Sequence, residues 1–211
     1  MSKINPADVI LIFDPGHGTR NYTAGKCAPD KSLYEGEWAR EMVPRIMSAC
    51  SEVGLKCINI VPEVEDIPLM TRVARANKIV SDNPRKKCYY LSIHINAAGQ
   101  GDKWYGASGW AVYVAKNASA NSKELAKNLY ETAYDFGLYG NRSIPREHYW
   151  QANYTVIYAT KCPAILSENL FQDNRVEVEY LKTEVGKETI ANIHLIGICK
   201  TIGLGYSLKI G

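Results

Sequence analysis

Several side chains able to bind a metal or move a proton stand at the ends of apolar runs. Asp14 and His17 follow the run at 9–12 and form the stretch FDPGHG; His94 lies in SIHINA; Glu168 follows AILS in SENLF. In open α/β sheets, ligands bind just beyond the carboxyl ends of strands, so these three ends can meet. Two histidines and a carboxylate are a known zinc ligand set with an open fourth position. Such a site lowers the pKa of water from 15.7 to about 7. A further carboxylate off the metal can take the proton of the attacking water and return it to a leaving nitrogen, worth roughly 10² to 10⁴ in rate. Glu168 suits that role.

The ligand carboxylate is sought in YEGEW, where helix geometry separates two glutamates. From Glu35, steps of three, four, seven and eleven reach Trp38, Ala39, Met42 and Ile46, all apolar; from Glu37 they reach Arg40, Glu41, Pro44 and Ser48. Glu35 is therefore expected to face inward and Glu37 to face water. An inward carboxylate costs several kcal/mol of desolvation unless a cation or metal pairs with it. Asp14 is placed to hold the other ring nitrogen of a metal-binding histidine, and Gly16 and Gly18 to let the backbone turn sharply and to leave space for the metal. His148 and His194 read as ordinary polar residues, although His148 can also line a groove. Spacing alone leaves two readings of His17 and His94 open, ligands or satisfied strand-end histidines, because separated ligands form no compact motif.

The elements that must position these groups are read from hydrophobic period. Strands are expected at 9–14, 55–61, 88–95, 109–115, 154–158 and 164–167, and helices at 35–53, 69–81, 122–136, 177–181 and 188–202. Pro44 should bend the first helix or move its boundary. Alternating strands and helices give an α/β class with a largely parallel sheet covered on both faces. The irregular stretches 97–108 and 137–153 are candidate groove rims, with Trp104, Tyr105, Trp110, Tyr149 and Trp150 as candidate groove aromatics.

The 211 residues suit a single domain, 1–211, and a net charge of +3 gives no case for nucleic acid. Six cysteines without a CxxC pair read as reduced thiols. The N-terminus shows no basic-then-apolar leader, and no window reaches membrane-span length, so no membrane insertion is expected.

FDPGHG, LYEGEWARE, DIPLMTRVARAN, SIHINA and PAILSENLF, with Asn174 and Glu177 following, occur in the order found in zinc-dependent N-acetylmuramoyl-L-alanine amidases of the Amidase_3 type. The chain resembles that family over residues 9 to about 202. The resemblance implies a twisted, mainly parallel six-stranded sheet with helices on both sides. It implies one Zn2+ held by His17, Glu35 and His94, and Glu168 as general base and acid. The substrate would be peptidoglycan, cut between N-acetylmuramic acid and L-alanine. Thr19 replaces the family's usual glycine. Asn169, beside Glu168, is a candidate substrate contact, as are Asn96, Trp104 and Tyr105. Residues 99–105 are too short and glycine-rich for the family's plugging helix, so an open groove is expected. The other readings are a peptidoglycan endopeptidase with the same zinc site and an inactive wall-binding module. A monomer is expected, held in the cytoplasm until release to the wall, or exported if a signal was trimmed.

Overall fold

The computed structural model describes residues 5–100 and 102–206; both ends of the expected 1–211 unit, and Gly101 of the expected rim, lie outside them. β1 (Val9–Pro15) is buried along its whole length. Successive side chains of a strand point to opposite faces. Val9, Leu11 and Phe13 therefore enter one core cluster, and Ile10 and Ile12 enter another. The first cluster packs under α1 (Glu35–Glu52), α3 (Ala120–Asp135), α5 (Arg175–Lys182) and α6 (Glu184–Ile202). The second packs under α2 (Leu69–Asp82) and the short α4 (Thr155–Tyr158). Burial on both faces explains why these strands read as near-continuous apolar runs.

The sheet has six strands in the order β2-β1-β3-β6-β4-β5, where β2 is Lys56–Asn59, β3 Lys87–Asn96, β4 Ala111–Val114, β5 Trp150–Gln151 and β6 Ala164–Phe171. Only the β4–β6 pair is antiparallel. The chain winds outward from β1 to β2, then returns past β1 to β3. That reversal opens a crevice beyond the carboxyl ends of β1 and β3, where open α/β sheets place ligands.

The expected strand at 154–158 is instead the helical turn α4. Val156 and Ile157 are adjacent and both enter the same cluster, which a strand of period two cannot arrange. The sixth strand is β5, two residues long and too short to show a period. β6 does not stop at 167. It continues through a register shift against β3, with Leu170 at φ 67°, the extra residue of a β-bulge. α5 and α6 begin earlier than their apolar period suggests. Asn174 and Thr183 cap them, accepting from the amides of Val176 and Gly186. α1 runs unbroken through Pro44. All six cysteines are free.

His194 is a core residue. Its Nδ1–H donates to the Ile190 carbonyl at 2.8 Å, and its Nε2 accepts from the Ser167 hydroxyl at 3.0 Å. Burial pushes its pKa down to about 4. The unfolded chain therefore takes up this proton first as the pH falls through about 6.5. The imidazole should withdraw about 3 kcal/mol of stability between pH 6.5 and 4. Urea unfolding of the parent and of His194→Gln across that window should give a flatter pH slope for the variant. Parallel curves would show that His194 is not held neutral.

Candidate metal centre and active site

The first ligand arrives on the loop after β1. His17 itself takes the left-handed conformation, φ 57°, which costs a non-glycine residue free energy. The positive φ thus falls on His17 and not on Gly16 or Gly18, and the space these glycines leave is filled by neighbouring protein groups. A Cβ on Gly16 would lie 2.3 Å from the His94 ring, and one on Gly18 would lie 2.7 Å from the Asp66 amide. Gly36 completes the fit, since a Cβ there would lie 1.8 Å from the Gly18 carbonyl oxygen. The start of α1 thus packs directly on the histidine loop and delivers Glu35 beside His17.

Glu35 is 2% exposed. Its Oε1 lies 2.9 Å from His94 Nδ1 and 3.4 Å from His17 Nε2, and accepts from the Ile95 amide at 3.1 Å. One ligand atom from each of His17, Glu35 and His94 lies within 4.8 Å of the others. Burial would raise the Glu35 pKa, but hydrogen bonds and charge from His17 and His94 outweigh it and hold the carboxyl well below its usual range. Glu37 faces water, as expected, and pairs with Arg20 at 2.6 Å.

Glu168 stands opposite, at the β6 position paired with His94. Its Oε2 is buried without a hydrogen-bond partner. Burial, then the nearby charge of Glu35, pushes its pKa well above the usual carboxylate range, against the pull of Lys26 and Arg142. Two carboxylates of one cleft are thus driven in opposite directions. A cation among the ligands would satisfy Glu35 and draw Glu168 back toward ionisation. The nitrogen and oxygen donors fit zinc, and the orphaned carboxylate oxygen fits a site completed by positive charge.

Asp14 holds neither histidine ring. Its carboxylate accepts from Arg72 Nη1 at 2.5 Å, from the Tyr90 hydroxyl at 2.5 Å and from Ser92 Oγ at 3.5 Å. Ser92 stands between, 3.0 Å from His94 Nε2. Arg72, 2% exposed, also donates to the carbonyls of Pro15, His17 and Ile67 and to Asp66. Sequence reading did not assign it to the site, and its place in DIPLMTRVARAN was the available signal.

These groups line an open cavity of about 800 Å³. Asn96 lines it too, with Nδ2 buried and unpartnered. Asn169 does not: it is fully buried, accepts from Trp110 Nε1 at 2.7 Å and donates to the His94 carbonyl at 2.8 Å. It braces the ligand strand and is corrected as a substrate contact. Trp104 and Tyr105 also stay outside the cavity wall. Trp104 lies under Arg175, and Tyr105 packs on Gly99. Trp110 is buried. Leu69, at the start of α2, and Tyr154, just before α4, line the cavity instead, and both are substantially exposed. Among the described residues of 97–108 there is no helix.

A family model described as N-acetylmuramoyl-L-alanine amidase, Amidase_3, matches residues 10–200. The endolysin of Bacillus phage SPP1 is 30% identical over 199 residues, covering 92% of this chain and 66% of the endolysin. The N-acetylmuramoyl-L-alanine amidase CwlM of Bacillus licheniformis is 25% identical, covering 93% of this chain and 70% of its own length. The chain thus spans about two thirds of these relatives. Among solved structures, the amidase Ami1 of Mycobacterium smegmatis superposes with a TM-score of 0.79 at 17% identity, covering 95% of this chain and 99% of that one. The catalytic domain of the amidase CwlV from Bacillus (Paenibacillus) polymyxa gives 0.73 at 23% identity, covering 93% and 99%. At these identities the superpositions speak for the fold alone.

Equilibrium dialysis against zinc with elemental analysis should find one tightly held ion per chain, lost in Glu35→Gln and kept in His148→Ala; an unchanged zinc content in Glu35→Gln would refute the ligand set. Arg72→Met leaves Asp14 buried without its counter-charge and should cost about 3–5 kcal/mol of unfolding free energy. A loss below about 1 kcal/mol in urea titration would mean that the buried pair does not hold this loop.

Proposed function

The chain belongs to the Amidase_3 family of N-acetylmuramoyl-L-alanine amidases, and from that premise we propose that it hydrolyses the amide between N-acetylmuramic acid and L-alanine in peptidoglycan. The observation that carries the reading is the convergence of His17, Glu35 and His94 opposite the orphaned carboxylate of Glu168 in an open cavity. His17, Glu35 and His94 would hold one zinc ion. When bound, it supplies a positive charge that acidifies water and polarises the scissile carbonyl.

The remaining steps belong to the chain. Glu168 takes a proton from the attacking water. A carboxyl group whose pKa is raised by burial is a stronger base than an exposed one and can hold that proton until it passes to the leaving nitrogen. Asn96 offers its free amide N–H to a carbonyl of the stem peptide. Leu69 and Tyr154 give the substrate exposed apolar and aromatic surface to lie on. Asn169 and Ser92 keep His94 in place from behind.

The matched residues, 10–200, act as one catalytic unit in this reading. One chain contributes the whole ligand set, so no second copy is required. The endolysin relative favours a role in wall lysis. No helix among the described residues is long and apolar enough to cross a membrane.

Purified peptidoglycan digested with and without a zinc chelator, then analysed by mass spectrometry, tests the proposal. Stem peptides with free L-alanine N-termini are expected, lost on chelation and restored by zinc. Shortened peptides still attached to glycan would move the cut to a peptide bond. Glu168→Gln should lower kcat by roughly 10² to 10⁴ with zinc content unchanged, and full activity in that variant would sink the assigned role.

A further inference from the structure

A second cavity, of about 410 Å³, lies between α3, the irregular stretch after it and the end of α6, and shares no lining residue with the first. Tyr130 contributes a buried ring whose hydroxyl has no hydrogen-bond partner. Tyr134 borders it, half exposed and tilted at 41° against the equally exposed Tyr139, with 5.2 Å between ring centroids. His148 closes the rim in the left-handed conformation, φ 63°. It is held by Glu131 at 3.2 Å and faces the Tyr130 ring at 5.7 Å. A non-glycine residue at positive φ carries strain that its surroundings must offset.

The charges of this cavity are already matched. Glu131 pairs with Lys127, and Asp135 with Lys200. Nothing there demands a charged ligand. What remains is tyrosine ring surface beside carboxylate oxygens with lone pairs to spare, and an unpaired phenol. Tyrosine joins an apolar face to a polar tip. That combination suits a neutral ring with one C–H face and hydroxyls at its edge.

We infer that this cavity is a second, non-catalytic saccharide subsite, bound by the glycan strand of the wall polymer while the first cavity works on the stem peptide. The choice of saccharide rests on the reading of peptidoglycan as substrate. The site would keep the chain on the polymer between cuts, raising the local concentration of the next stem peptide.

The test is a titration of the full chain with N-acetylglucosamine tetramer, followed by amide NMR shifts, with and without a zinc chelator. Shifts are expected at Tyr130, Tyr134, Ile144, His148 and Lys200, indifferent to chelation. Tyr134→Ala should weaken binding at least tenfold while its thermal unfolding matches the parent. No shifts, shifts confined to the cavity at His17, or unchanged affinity in Tyr134→Ala would each overturn the subsite. Amide cleavage is read separately. A chain that binds the tetramer here but cuts no muramoyl amide would keep this inference and reject the proposed function, and the reverse result would do the opposite.

Discussion

The ion pair between Arg72 and Asp14 is the constraint on which the rest of the site depends. Both side chains are buried, 2% and 1% exposed. Two charges removed from water are tolerated only when geometry is good and the remaining hydrogen-bonding capacity is used. Here it is used. The guanidinium spends its donors on two carboxylates and on the carbonyls of Pro15, His17 and Ile67. A fork of this shape is available to arginine and not to lysine. The same fork fixes the loop that holds His17 at positive φ, so a helix on one face of the sheet stabilises a strained histidine just beyond the carboxyl end of β1.

The site also separates two chemically identical groups by environment. Glu35 is buried among donors and is kept ionised. Glu168 is buried without them, next to another negative charge, and its affinity for a proton is raised. One carboxylate is thereby suited to hold a cation and the other to handle a proton. The β6 bulge sharpens the division. Glu168 lines the cavity while its neighbour Asn169 turns into the core and holds the His94 carbonyl.

Much of this was legible in the residues. Buried strands announce themselves as apolar runs, and the three-to-four spacing from Glu35 told it apart from Glu37 because a helix has only one inward stripe. The core helices were legible for the same reason, though their starts were not, since capping by Asn174 and Thr183 is a side-chain event outside the apolar period. TVIY at 155–158 misled because β-branched residues favour strands when nothing else decides. Here burial of two adjacent residues decided. The bulge at Leu170 was hidden because no residue type there demands one. Asp14 was expected to hold a metal-binding histidine, but its carboxylate goes to Arg72, 58 positions away on α2, which no local spacing could announce. Trp104 and Tyr105 drew attention as aromatics in a loop, although their rings serve to hold the rim rather than to form it.

The contact between Gly16 and the His94 ring has a consequence for how an ion is captured. The ring occupies the volume that any side chain at position 16 would fill. It is braced by Glu35 on one nitrogen and Ser92 on the other. Its rotamer is therefore settled when the chain folds, before any ion arrives. Ordering a free side chain opposes binding by about 0.5–1.5 kcal/mol, and that opposition is absent here. The first motif and the third strand act as a mould set by folding, so the tightness with which an ion would be held there is a property of folding as much as of the side chains' chemistry.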